Sequence, residues 1–196
     1  ARIQDAINAY LRALRVFTRA DHAQEFAILH NNLAIAYLAI PATDEHSRLR
    51  EALAVQSFEE VLKVVTLVDH PSEYAMIQNN LGNALQVVTS SHALENHLRA
   101  LAAYDEALRV RNPRDTPLAY AHTIANKANV LRRLEPDAAR DVSLAALSDP
   151  LAEALRLVRE AGALFATHGD GEKAALMAEA ATEIDDALAS RRRHAN

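Results

Sequence analysis

The stretch EFAILHNNLAIAYL at residues 25–38 returns as EYAMIQNNLGNALQ at 73–86 and, more faintly, as AYAHTIANKANVLR at 119–132. The segment ahead of each copy repeats with it: AINAYLRALRV at 6–16, AVQSFEEVLKV at 54–64 and ALAAYDEALRV at 100–110. Tyr10, Phe58 and Tyr104 are each followed 24 residues later by a small residue, Ala34, Gly82 or Ala128. The return distance varies, 24 residues from Ala34 to Phe58 and 22 from Gly82 to Tyr104, so insertions are confined to that connection. Loops absorb changes of length and packed helices do not. The chain is therefore an array with a period of 46 to 48 residues, an architecture in which stacked units share one core and present one surface, usually for holding another molecule.

Ile3, Ile7, Tyr10, Leu14 and Phe17 stand at spacings of 3 and 4, which predicts an amphipathic helix from Arg2 to about Thr18. The same pattern predicts helices at 48–68, 95–111 and 150–167, and these second-type helices alternate with first-type helices at 22–39, 71–89, 117–134 and 172–190. Asp21, Asp69 and Asp115, followed by His22, His70 and Thr116, read as helix starts, and Pro71 and Pro117 fall in the first turn, where a missing N–H costs nothing. Gly169-Asp170-Gly171 reads as the turn of the last pair. Residues 40–48, 89–95 and 135–150 are the variable connections, the last being the longest and expected to be mobile.

Composition agrees. Half the residues are apolar while only 5% are aromatic and four are glycine, which favours helix over sheet. The absence of cysteine excludes disulfides, thiolate catalysis and Cys-ligated zinc and fits a cytoplasmic setting. A formal charge of -5 argues against nucleic acid and anionic lipid as partners, and no apolar run approaches the roughly 20 residues that span a bilayer. A first residue of Ala1 leaves room for a signal or further repeats upstream.

These residues resemble the tetratricopeptide repeat. Leu33-Ala34 with Tyr37 and Leu81-Gly82 with Leu85 match the first helix of that motif; Ala6, Tyr10, Ala13 and Ala100, Tyr104, Ala107 match the second, with Ala54, Phe58, Val61 close behind. The match covers residues 2–134, and 148–190 fit as a hairpin of the right length. Each unit exceeds the usual one by about a dozen residues, as in the NNL-containing long-repeat arrays of bacteria and of kinesin light chains. The resemblance implies an all-α, right-handed superhelical solenoid of antiparallel helix pairs with about eight helices, forming a single array over 1–196. Its parts would be the second helix of a truncated repeat at 1–18, repeats at 19–68, 69–112 and 113–168, and a C-terminal capping helix at 169–196.

The resemblance also implies a concave groove lined by the first helices. Its groove-facing spacing selects Ile28, Asn31, Ile35 and Leu38, then Met76, Asn79, Asn83 and Gln86, then His122, Ala125, Asn129 and Arg132. Asparagine suits such a groove because its amide both donates to and accepts from a peptide backbone. Asn32, Asn80 and Asn126 recur one residue along and suit bridges between hairpins. The carboxylate clamp of some relatives is incomplete here, since asparagine stands where its first lysine would be. Lys127 replaces the leucine of the other two repeats, either laying its stem over the core or meeting an acidic partner.

Signals for catalysis are weak. His22, His70 and His168 sit at helix starts and turns, so neither a catalytic residue, a metal site nor a cofactor is expected, and no phosphate loop, HExxH pair or GxSxG elbow occurs. Arg132-Arg133 and Arg191-Arg192-Arg193 complement helix ends. The expected function is a non-catalytic module that binds a protein or peptide. A structural accessory subunit, or homo-oligomer, using the apolar face of residues 3–17 is the alternative, and the sensor part of a longer bacterial signalling protein is a third.

Overall fold

The computed structural model describes residues 2–41, 45–88, 92–134 and 149–195. Among them the chain is all-helical: α1 (Arg2–Ala13), α2 (Ala23–Leu38), α3 (Ser47–Val61), α4 (Pro71–Val87), α5 (Ala93–Leu108), α6 (Pro117–Leu131), α7 (Pro150–Thr167) and α8 (Gly171–Ala195). No strand occurs among the described residues. The chain divides into two compact units, Ala1–Arg99 and Ala100–Asn196. In the first, α1 packs on α2, α2 on α3 and α3 on α4; in the second, α6 packs on α7 and α7 on α8. Consecutive packing of this kind is what a helical-repeat array requires. The mobility expected of 135–150 falls on 135–148, outside the described residues.

Alanine and one aromatic per repeat explain the packing. Ala54, Ala75 and Ala84 in the first unit and Ala100, Ala107, Ala121 and Ala128 in the second are completely buried, and side chains this small let helix axes approach to about 8–10 Å. Phe58 is 1% exposed and Tyr104 0%, each plugging the space that alanines leave. In the last pair glycine takes the alanine's part, since a Cβ on Gly162 of α7 would lie 3.1 Å from Met177 Cβ of α8.

The second-type helices end sooner than their periodicity predicts, at Ala13, Val61 and Leu108 rather than 18, 68 and 111. The cause is one turn, repeated three times. Val16, Val64 and Val110 donate N–H to Ala13, Val61 and Ala107, three residues back, which tightens the helix and ends it. Two residues later a side chain takes over: Thr18 and Thr66 donate their hydroxyls to Asp21 at 2.8 Å and Asp69 at 2.7 Å, and Asn112 donates its amide to Asp115 at 3.0 Å. The backbone N–H of each Asp returns the bond to the same side chain. The aspartates therefore brace the turn instead of capping the next helix. His22, His70 and Thr116 are the N-cap residues, with matching φ of -143°, -140° and -134° and no side-chain cap bond.

The final pair uses different chemistry. Gly169 has φ +81°, the left-handed conformation that ends a helix, and Asp170 N donates to Phe165 O across it. Asp170 Oδ1 then accepts from Lys173 N at 3.1 Å, a true N-cap for α8.

Truncating Phe58 to alanine leaves a cavity where surrounding alanines cannot collapse, so Phe58→Ala is expected to lower the unfolding free energy by about 3–5 kcal/mol. Val68→Ala, at a position 87% exposed, should stay within about 0.5 kcal/mol of wild type. Urea denaturation followed by circular dichroism checks both.

Candidate binding surfaces

Helices α2 and α4 carry the first two sets of expected groove residues, both in the first unit. Ile28 is 59% exposed, Ile35 49% and Met76 42%, apolar surface on helices that also carry buried residues such as Leu33, Ala34, Ile77 and Leu81. Asn31, Leu38, Asn83 and Gln86 are half-buried. Asn79 is only 9% exposed and belongs with the core. The Oδ1 of Asn31 is shut off from solvent and has no protein donor. Equal spacing along two helices thus yields unequal depths, with Ile35 exposed, Asn31 and Asn83 half-buried and Asn79 buried.

Helix α6 carries the third set, in the second unit. His122 and Asn129 are exposed and Ala125 is buried. The His122 ring stands edge-on to Phe165 of α7, centroids 5.0 Å apart. Arg132 is engaged within the unit, its Nη2 2.6 Å from Glu183 Oε2 of α8. Lys127 resolves toward an internal partner: its Nζ lies 2.5 Å from Asp105 Oδ1 of α5, and its side chain is 18% exposed. A lysine replaces leucine at this site because a carboxylate one helix away receives the ammonium while the stem lies over apolar neighbours.

Other polar contacts carry no signature in the sequence. Arg111 Nη1 donates to Thr123 Oγ1 at 2.7 Å, and the Thr123 hydroxyl donates to Ala119 O, so a buried threonine anchors the start of α6. Tyr120 Oη donates to Glu160 Oε1 at 2.9 Å, and Arg156 bonds both Glu160 and Glu153. The Arg156 bond holds the Glu153 carboxyl below its usual range, and burial with the Glu160 bond pushes the Tyr120 phenol up. A cavity of about 350 Å³ in the first unit lies between the end of α2, the start of α3 and α4, lined by Tyr37, Leu38, Ile40, Arg50, Glu51 and Asn83. The sequence pointed to Leu38 and Asn83 only. Arg50 and Glu51 lie near the start of α3, ahead of the segment 54–64 whose pattern repeats, so no periodic signal marks them.

Among the described residues no group of three or more His, Asp or Glu is placed to hold a metal ion. No helix among them is long and apolar enough to cross a membrane. Compared with models of known families, with curated proteins and with solved structures, the chain finds no match.

Two imidazoles give the fold a pH dependence. Burial lowers the pKa of His30 on α2, with Glu60 opposing and Lys63 adding to the fall; partial desolvation of the ring of the otherwise exposed His122, packed against Phe165, also lowers its pKa, with Lys173 adding to the fall and Asp170 opposing. A depressed folded-state pKa means that the unfolded chain takes up protons first as pH drops below about 6.5, so stability is present above that value and lost beneath it. The melting temperature is expected to fall between pH 7 and pH 5, before carboxylates titrate, and to fall less in the double variant His30→Gln/His122→Gln. Equal slopes in a thermal-melt series would remove the assignment.

Proposed function

We propose that the chain is a non-catalytic protein–protein interaction module of the tetratricopeptide type, working in the cytoplasm of a bacterium, that captures a peptide segment or partner helix on its first-type helices. The observation that carries this reading is the exposure of Ile28, Ile35 and Met76 on α2 and α4. Large apolar side chains that face only water, two on α2 and one on α4, bring a free helix no gain, and a partner's apolar residues gain by covering them. Asn83 and Gln86, half-buried beside this strip, supply amides for a bound backbone, and Leu38 extends the apolar area. Asn79, at 9% exposure, supports the strip from beneath. In the second unit His122 and Asn129 are the exposed members, with Arg132 tied to Glu183.

The reading is tested by selecting peptides from a random displayed library on the full chain and measuring their affinity by fluorescence anisotropy. Ile28→Asp and Met76→Asp each put a charge on an already exposed site, so folding is kept while binding of the selected peptides falls at least about tenfold, the cost of placing a charge in an apolar contact. Unchanged affinity in both variants, or no selectable peptide, overturns the proposal.

A further inference from the structure

The first turns of α2, α4 and α7 each hold a glutamate, Glu25, Glu73 and Glu153, where a carboxylate complements the helix dipole. In α7 the residue three further on is Arg156, which pairs with Glu153 at 2.8 Å. In α2 and α4 the residue three further on is Ile28 or Met76, 59% and 42% exposed. Residues three apart are neighbours on a helix surface. Each of these two glutamates therefore stands beside an exposed apolar side chain where α7 has a cation. Glu25 and Glu73 are themselves exposed, and among the described residues neither carboxylate has an ion pair or a hydrogen bond.

Helices α2 and α4 contain no lysine or arginine, whereas each of the other six helices contains at least one. Exposed carboxylates elsewhere are met from a neighbouring helix: Glu59 by Arg99, Asp105 by Lys127, Glu183 by Arg132 and Asp185 by Arg159. Glu25 and Glu73 receive no such cation from the chain. The two arrangements are copies of one another, since Glu25 and Ile28 recur 48 residues later as Glu73 and Met76. The third copy departs at both positions at once, with Ala119 and His122. Further along the same helices, Leu38 of α2 and Asn83 of α4 line one cavity, which puts both arrangements on one surface of the first unit.

We propose that these are two seats for basic side chains, and that the segment captured on α2 and α4 is a basic one, an inference that rests on the capture reading above and names its class of ligand. A lysine or arginine of the partner lays its aliphatic stem on Ile28 and brings its charged head to Glu25; a second does the same on Met76 and Glu73. The partner thereby supplies to α2 and α4 the cation that Arg156 supplies within α7. An acidic segment would set like charges against two unpaired carboxylates and is rejected. The charged heads stay close to solvent, so salt screens the attraction. Two exposed pairs together shift affinity by roughly fivefold, which serves selection of the partner more than strength of binding.

Peptides selected from a random displayed library on the full chain, and measured by fluorescence anisotropy, are the probe. The binders are expected to carry lysine or arginine among apolar residues and to weaken as salt is raised. Glu25→Gln/Glu73→Gln lowers their affinity roughly fivefold, and has a smaller effect on the same peptides with their basic residues changed to glutamine. Glu172→Gln/Glu179→Gln, an equal loss of charge at exposed sites of α8, leaves affinity unchanged. Circular dichroism checks that every variant folds. Binders without lysine or arginine, no loss in Glu25→Gln/Glu73→Gln, or an equal loss in the α8 variant overturns the proposal. Ile28→Ser/Met76→Ser separates this inference from the capture reading, because it removes apolar contact without changing charge. Binders that lack basic residues yet weaken in that variant sink the choice of ligand alone, whereas binders of any charge that keep their affinity there sink the capture surface as well.

Discussion

The distance at which two helices of this chain can approach governs everything else in it. Alanine holds the contact positions of α3, α4, α5 and α6, at Ala54, Ala84, Ala100 and Ala128, and glycine takes over at Gly162, where a Cβ would lie 3.1 Å from Met177 Cβ of α8. Close approach leaves thin gaps, and one large side chain per repeat fills them, Phe58 in one case and Tyr104 in another. An alanine-lined interface buries little area for each residue it orders, so the few large plugs carry a disproportionate share of the hydrophobic stabilisation. The same thinness makes the interface intolerant of added volume.

With the contact distance fixed, the turns have little freedom. Each second-type helix must release the chain at the same height so that the next first-type helix starts in register, and three copies of one hydrogen-bonded turn achieve it. Thr18 and Thr66 do with a hydroxyl what Asn112 does with an amide, and in every copy an aspartate three residues on completes the ring of bonds. The exchange of Thr for Asn shows that the geometry of the donor and acceptor is retained and not the side chain itself. Divergence elsewhere follows the same logic: Lys127 enters a leucine position only because Asp105 faces it.

The apolar surface left over on α2 and α4 has a different origin. Ile28, Ile35 and Met76 are exposed on helices that also carry the buried Leu33, Ala34, Ile77 and Leu81. Ile28 and Met76, 48 residues apart, are alike in this, whereas Tyr10 is half-buried where Phe58 and Tyr104 are sealed.

The sequence by itself determined the all-helical class, the places of the helices among the described residues and the buried plugs Phe58 and Tyr104, though not the half-burial of Tyr10, because each of these is enforced by a local period of 3.6 residues or by a repeat of 46 to 48 residues. It also placed helix starts to within a residue or two, although it assigned the aspartates to capping when they brace the turn before it. Depth was decided only by the tertiary structure. Asn79 and Asn83 occupy the same stripe of α4, yet one is sealed and the other half-open, since a stripe is a direction on one helix whereas burial depends on where the neighbouring helix stops. The engagement of Arg132 by Glu183, 51 residues away, and of Lys127 by Asp105 required the same information. Partners distant in sequence leave no period behind, and only packing brings them into view.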